Sequence, residues 1–209
     1  MLSTEEKNAI IALIHQQVVP AIGCTEPMAV ALCVAKATAL LGSRPEQINI
    51  RLSANILKNA MGVGIPGTGM IGLPIAVALG ALIGRPELEL EVLRDCNREA
   101  VEEGKRFIAE NRMDIKLEEN DPDKLYINVV CQAGGHEAEA RIKTHHTHFV
   151  YLAKDGQEVK GDRSIPETPL AQGDATLGHS TEEQEPELTL HKVYEFATQT
   201  DVEELRFIL

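Results

Sequence analysis

A cysteine at the expected start of a helix is the residue of this chain whose type and position best suit chemistry. Residues 23–27 read GCTEP, so Cys24 directly precedes Thr25, which we expect to cap a helix with Pro27 in its first turn. Amide hydrogens at a helix start carry partial positive charge, and a thiol beside them ionises more readily than one in solution. Such a thiolate can act as a base, a nucleophile or a metal ligand, although the charge of Glu26 partly opposes its formation. The alternative is a small buried cysteine without chemistry.

A glycine-rich segment is the second candidate. Residues 62–72 read GVGIPGTGMIG and lead into an apolar helix that we expect to start near Leu73. Backbone N–H groups in such a segment can approach an anion closely. The segment contains two G-x-G-x-x-G copies, but neither directly follows an expected strand, which argues against a dinucleotide. No Walker lysine is present, which argues against ATP. A ligand with a carboxylate fits better. The alternative is that the glycines only permit close helix packing.

A short polar segment precedes the glycines. Residues 53–59 read SANILKN, and Asn55, Lys58 and Asn59 share one face of the expected helix. Two amides and an ammonium can therefore point at one ligand. The alternative is that Lys58 is an ordinary solvated lysine.

Three histidines form a further candidate, because His146 and His148 have the H-x-H spacing of metal sites on strands. His145 does not share that face, and no nearby carboxylate or other histidine completes such a site. We therefore favour polar residues at an exposed strand end.

The composition excludes several classes of function. The 209 residues include four cysteines and no tryptophan, with a formal net charge of −12. No C-x-x-C pair is present, which indicates a reducing cytoplasm and argues against zinc knuckles. The negative charge disfavours nucleic acid and acidic membranes, and the apolar run at residues 71–84 is too short to span a bilayer. We expect a small-molecule ligand, and the sequence leaves open whether the chain forms a homo-oligomer.

The pattern of hydrophobic residues predicts an α+β fold. Residues 1–84 form a mainly helical catalytic-type segment, which opens with a Ser3-x-x-Glu6 capping box and contains a short strand at residues 48–52. Next come a small α+β unit at 85–160, a connector at 161–187 and C-terminal helices at 188–209. The α+β unit is expected to pack a helix at 95–111 on antiparallel strands at 114–118, 125–132 and 137–152, with turns at 134–135 and 155–156. The last helix starts at Asp201 and lacks a glycine cap, so the chain looks cut short.

These motifs together resemble the L-cysteine desulfidase family, which is related to the α chain of iron-sulfur L-serine dehydratase. The resemblance rests on GCTEP at residues 23–27, NILKN at 55–59 and IPGTG at 65–69, with further similarity at 194–197 and 203–205. Members of that family are about twice as long, and three cluster-binding cysteines look to lie in the half that this chain lacks. The cysteines of this chain other than Cys24 match no ligand position of the family.

The resemblance implies β-elimination from L-cysteine, giving pyruvate, ammonia and sulfide, on a [4Fe-4S] cluster of the full-length protein rather than on pyridoxal phosphate. An iron without a cysteine ligand would bind the leaving thiolate while a base removes the α-proton. Cys24 is implied as that base or as a displaceable iron ligand, and it is the single metal-ligand candidate of this chain. Lys58 is the other implied catalytic residue. The implied substrate-binding residues are Thr25, Glu26, Asn55, Asn59, Pro66, Gly67, Thr68 and Gly69.

Three alternatives stay open besides L-serine as the substrate. A pyridoxal-phosphate eliminase would use Lys58 as the Schiff base and the glycine segment as a phosphate cup. A non-catalytic module would bind an amino acid without turnover. A purely structural domain would do neither. On the desulfidase interpretation, this chain alone is expected to hold no cofactor and to be inactive.

Overall fold

The computed structural model describes residues 2–159 and 186–208, which fall into two compact units. The larger unit contains residues 20–159, and the smaller unit contains residues 2–19 and 186–208. Residues 161–185 of the expected connector lie outside the described residues. In the described part of the chain, no helix is long and apolar enough to cross a membrane.

The larger unit is built on a six-stranded sheet with the order β4-β1-β5-β6-β7-β8. Its strands are β1 (Gln47–Leu52), β4 (Met113–Leu117), β5 (Tyr126–Ala133), β6 (His136–Lys143), β7 (Phe149–Lys154) and β8 (Gln157–Glu158), whereas β2 (Gly64–Ile65) and β3 (Met70–Ile71) form a separate two-stranded hairpin. Neighbouring strands of the sheet are antiparallel, except that β1 and β4 are parallel. The α+β prediction is confirmed.

Two details of the predicted strands are wrong. The strand expected at residues 114–118 is not antiparallel, because a long helical connection brings β4 back beside β1 in the same direction. The strand expected at 137–152 is two strands, since the chain turns at residues 144–148, where Thr144 has a φ of 69°. The expected tight turns at 134–135 and 155–156 are confirmed, and both have positive φ throughout.

The first strand of the sheet comes from the segment that the sequence presents as mainly helical, and the strand expected at residues 48–52 is confirmed as β1. β1 lies between β4 and β5, and Ile48, Ile50 and Leu52 alternate into the core. Residues before and after position 84 therefore share one hydrophobic core in the structure.

Four α-helices complete the larger unit: α2 (Thr25–Leu41), α3 (Ala54–Met61), α4 (Leu73–Ile83) and α5 (Arg98–Ala109). Short 3-10 turns at Pro86–Glu91 join α4 to α5. Helix α2 is buried along most of its length and packs against both the sheet and α4. Gly80 of α4 allows this approach, because a Cβ there would lie 2.6 Å from the Ala31 carbonyl oxygen. Helix α5 is amphipathic, as expected of a surface helix, and packs on α4.

The direction of α2 along the sheet determines where Cys24 lies. The Lys154 ammonium donates to the Leu41 carbonyl oxygen at the helix end, at 3.1 Å, and the Cys33 thiol donates to the Ala140 carbonyl oxygen, at 3.2 Å. Lys154 pairs with Ala138 near the start of β6, so α2 runs antiparallel to β6. The start of α2 therefore lies towards the edge where β6 ends and the 144–148 turn begins.

The smaller unit contains α1 (Thr4–Gln17), α6 (Leu190–Gln199) and a 3-10 helix at Val202–Ile208. The capping box is confirmed: the Glu6 N–H donates to Ser3 Oγ at 3.1 Å, and the Ser3 N–H donates to the Glu6 carboxylate at 3.0 Å. Lys192 of α6 pairs with Glu6 of α1 at 3.0 Å. The segment that begins at Asp201 is helical as expected, but its geometry is 3-10.

Candidate functional site

The start of α2 presents an accessible thiol. Cys24 itself is the N-cap, with φ −70° and ψ 138°, and Thr25 is the first helical residue, so the expectation that Thr25 caps the helix is wrong. The reason is local: the positive φ of Gly23, 81°, turns the chain one residue earlier. Cys24 is exposed, which contradicts the alternative of a buried cysteine. The expected end of the helix at Gly42 is confirmed, with a φ of 80°.

The first turn of α2 also carries a carboxylate. Glu26 accepts a hydrogen bond from the Asn59 side-chain amide at 3.1 Å and one from the Thr25 hydroxyl at 3.3 Å. Partial burial alone would raise the pKa of Glu26, but hydrogen bonds from its own N–H, Asn59 and Thr25, and the charge of His146, together lower the pKa below its ordinary value. Glu26 is therefore ionised at neutral pH, and it links α2 to α3.

The glycine-rich segment is a hairpin rather than an open loop. β2 and β3 pair, and the turn between them has positive φ at Gly67 and Gly69. The Thr68 hydroxyl donates to the Ile65 carbonyl oxygen at 2.6 Å and accepts from the Met70 N–H at 2.9 Å. The Thr68 side chain therefore holds the turn, and a role for it in substrate binding stays a prediction.

Close packing brings the hairpin against the start of α2. A Cβ built on Gly23 would lie only 2.7 Å from Pro66 Cγ, so the proline ring packs directly on the Gly23 backbone. Gly67 is the next residue of the turn, and a Cβ built on it would lie 3.9 Å from Cys96 Sγ. Residues 23–27, 55–59 and 65–69, which are far apart in the sequence, thus meet through Gly23–Pro66 and Glu26–Asn59.

The polar residues of α3 divide into two groups. Asn59 reaches Glu26, whereas Asn55 and Lys58 are exposed on the helix. An exposed lysine is available to a soluble ligand, but it lacks the enclosure that a Schiff-base lysine normally has. The roles predicted for Asn55 and Lys58 stay predictions.

Two further residues lie near the site, and the sequence alone does not place them there. Cys96 is half-buried beside Gly67, and nothing in its sequence neighbourhood marks it. His146 is half-buried in the turn between β6 and β7, so the expectation that it lies on a strand face with His148 is wrong. Burial lowers the pKa of His146, and the neighbouring Glu26 carboxylate opposes that shift. The H-x-H motif was visible, but its true partner lies about 120 residues away in sequence, which only the fold brings near.

Replacing Asn59 with alanine is expected to lower the free energy of unfolding by about 1 kcal/mol at pH 7, because Glu26 loses a charge-assisted hydrogen bond. Folding lowers the pKa of Glu26 below 4.5, so this contribution is complete above pH 4.5 and disappears as the pH falls through the folded-state pKa. Urea unfolding at several pH values measures it. The matched control is Asn55→Ala, an exposed position on the same helix, which should stay within about 0.5 kcal/mol. An equal effect of the two changes would contradict the role of Asn59.

The described residues do not provide the ligands of the [4Fe-4S] cluster that the resemblance implies. Among the described residues, no group of three or more His, Cys, Asp or Glu side chains is placed to hold a metal ion. Cys33 and Cys131 are buried in the core, and Cys96 is half-buried. Of the four thiols, Cys24 alone is exposed, so it is the one that a group held elsewhere could reach.

The thiols are expected to react with iodoacetamide in the order Cys24, then Cys96, with Cys33 and Cys131 modified only on unfolding. Alkylation needs both access and a thiolate. Burial raises the pKa of Cys96, raises that of Cys131 to about 12, and, with the neighbouring Cys131, raises that of Cys33 well above its ordinary value. Peptide mass spectrometry of native protein against urea-unfolded protein measures the order. Early modification of Cys33 or Cys131 would contradict the described core.

The chain is similar to several proteins that carry the name UPF0597 protein. One from Bacteroides fragilis is 58% identical over 208 residues, which is 100% of this chain and 46% of the relative. One from Phocaeicola vulgatus is 56% identical over 209 residues, again 100% and 46%, and one from Oleidesulfovibrio alaskensis is 44% identical over 204 residues, 98% and 45%. The chain spans about half the length of the curated relatives it matches. No family model and no solved structure matches the chain. The shared name states no activity, so the relation to desulfidases stays a prediction.

Proposed function

We propose that this chain is the substrate-binding part of a lyase that performs β-elimination on L-cysteine. L-Serine, which differs from L-cysteine only in its leaving group, is the alternative substrate. The observation that carries the proposal is the meeting of three separate segments at the start of α2, which carries the exposed Cys24, through the Gly23–Pro66 packing and the Glu26–Asn59 hydrogen bond. The [4Fe-4S] cluster stays a prediction for a longer protein, with ligands supplied from outside the described residues.

Each part of this site has a role that suits an amino acid. The ionised Glu26 carboxylate is complementary to the substrate's α-ammonium group, and the Asn59 amide fixes its orientation. The α-carboxylate would accept from the Gly67 and Gly69 N–H groups of the glycine turn, since Pro66 has no N–H and the Thr68 N–H donates to the Ile65 carbonyl oxygen. Together these groups bind both charged ends of the substrate, so its side chain and α-proton can face Cys24.

The proposed reaction follows from that orientation. The Cys24 thiolate accepts the proton from Cα, the electron pair of that C–H bond forms the Cα–Cβ double bond, and the C–S bond breaks. The sulfur leaves with the bonding electrons as sulfide, which takes up a proton. The remaining aminoacrylate reacts with water to give pyruvate and ammonia, so no oxidant or reductant is needed.

Initial rates of pyruvate formation by the full-length protein test the proposal and its substrate. L-Cysteine, L-serine and D-cysteine would be compared under anaerobic conditions, with L-alanine as an inhibitor that has no leaving group. We expect L-cysteine to give the highest kcat/KM and D-cysteine to give none, since its reversed centre turns the α-proton away from Cys24. Pyruvate from L-serine alone would assign the dehydratase reaction instead.

The same assay distinguishes the pyridoxal-phosphate alternative. Borohydride reduces an internal aldimine and would remove a visible absorption band together with activity, if Lys58 carried that cofactor. We expect no such band, because Lys58 is exposed on α3 rather than enclosed. A non-catalytic module would instead bind L-cysteine without forming pyruvate.

A further inference from the structure

The exposed face of α6 is a strip of apolar side chains. Leu190, Val193, Tyr194 and Ala197 follow the i, i+3, i+4, i+7 spacing of one helix face. Leu190 is 91% exposed, Tyr194 is 69% exposed and Val193 is 47% exposed. An apolar helix stripe of this kind is normally buried against a partner.

The other side of α6 already has a partner. Phe196 is buried, and Lys192 on the same side pairs with Glu6 of α1 at 3.0 Å. Helix α6 therefore packs one side within the described part of the smaller unit, and its apolar strip lies on the opposite side. We refer to Leu190, Val193, Tyr194 and Ala197 as the outer face of α6.

The described part of the smaller unit contains few buried hydrophobic side chains. Among its described residues, Ile10 and Phe196 are the buried hydrophobic side chains, whereas Val18, Val19, Val202 and Ile208 are exposed along with the outer face. The smaller unit comprises residues 1–19 and 168–209, and a unit of about sixty residues without disulfides has little apolar burial to spare. Its described residues contain no cysteine that could supply a disulfide.

We propose that the outer face of α6 docks an apolar surface from the part of the full-length protein that this chain does not match. The curated relatives are about twice as long as the chain, so such a protein contains as many residues again from which to supply that surface. A second copy of this chain is the less favourable occupant, because each copy carries a formal net charge of −12 and the copies repel. This proposal is independent of the reaction proposed above.

Co-expression of the 209-residue chain with the unmatched part of the Bacteroides fragilis relative tests the docking. We expect an equimolar complex by affinity capture and light scattering. Replacing Leu190 and Val193 together with lysine should weaken the complex by at least about tenfold, since two ammonium groups would have to be buried. The matched control replaces His191 and Gln199 with lysine, on the same helix and with the same added charge, and should change the affinity by less than about twofold.

Three outcomes would overturn the proposal: no complex, a complex that the Leu190→Lys and Val193→Lys pair leaves unchanged, or a homodimer of the chain that this pair dissociates. Far-ultraviolet circular dichroism of both double variants verifies that α6 is retained. If the helix is lost, Leu190→Gln with Val193→Gln replaces the lysine pair, since glutamine is polar and a good helix former.

Discussion

Replacing Cys24 with serine is expected to reduce the rate of pyruvate formation from L-cysteine by about a thousandfold in the full-length protein, the scale typical of losing a catalytic base. Serine has nearly the same size but is far less acidic than a thiol, so it cannot serve as the base at neutral pH. The folded protein should be unharmed. Cys24 is exposed and its side chain makes no capping hydrogen bond, while serine is among the best N-cap residues.

The comparison for this variant is Cys96→Ser, which removes the other thiol near the glycine turn. It should keep kcat within about threefold, because Cys96 is half-buried and packs against the hydrophobic core. Pyruvate assays and thermal melting of each variant distinguish a loss of catalysis from a loss of stability. A Cys24→Ser protein as active as the parent would remove Cys24 from the reaction.

Replacing Gly23 with alanine is expected to cost about 3 kcal/mol of unfolding free energy and to lower kcat/KM. Two effects add. The residue has a φ of 81°, where an L-amino acid is strained by about 1–2 kcal/mol. The new methyl group would also lie 2.7 Å from Pro66 Cγ, so the glycine turn must move away from Cys24, as overpacking of this kind costs about 1–3 kcal/mol.

Gly42 provides the matched control for this change. Its φ is 80°, but a Cβ there would meet only the Lys154 ammonium nitrogen at 3.9 Å, which is ordinary contact. Gly42→Ala should therefore show the backbone strain without the clash, at about 1 kcal/mol. Adding Pro66→Ala to Gly23→Ala should recover the difference between the two glycine variants. Equal costs for Gly23→Ala and Gly42→Ala would show that the hairpin does not rest on the start of α2.

The sequence predicted the elements whose signals are local. The Ser3–Glu6 capping box, the helix end at Gly42 and the tight turns at 134–135 and 155–156 depend on neighbouring residues, and the structure has all of them. The α+β class followed from the change from helical to alternating periodicity. The helix start was misjudged by one residue, because Gly23 takes a positive φ that the sequence does not reveal.

The relations that the sequence could not supply are those between distant segments. Nothing in residues 47–52 indicates that β1 enters the interior of the sheet, or that β4 joins it in parallel. The Glu26–Asn59 hydrogen bond and the Gly23–Pro66 packing follow from how α2, α3 and the hairpin fold together. His146 was noted for its spacing to His148, yet its neighbour is Glu26 on another element. Local patterns identified the candidate residues, and tertiary packing decides which of them meet.

The most direct test of the proposed function is anaerobic release of sulfide from L-cysteine by the full-length protein after reconstitution with iron and sulfide, followed by desalting. We expect sulfide and pyruvate to appear in equal amounts, and Cys24→Ser to abolish both together. Absence of both products from protein with a fully loaded cluster would contradict β-elimination of L-cysteine at the start of α2.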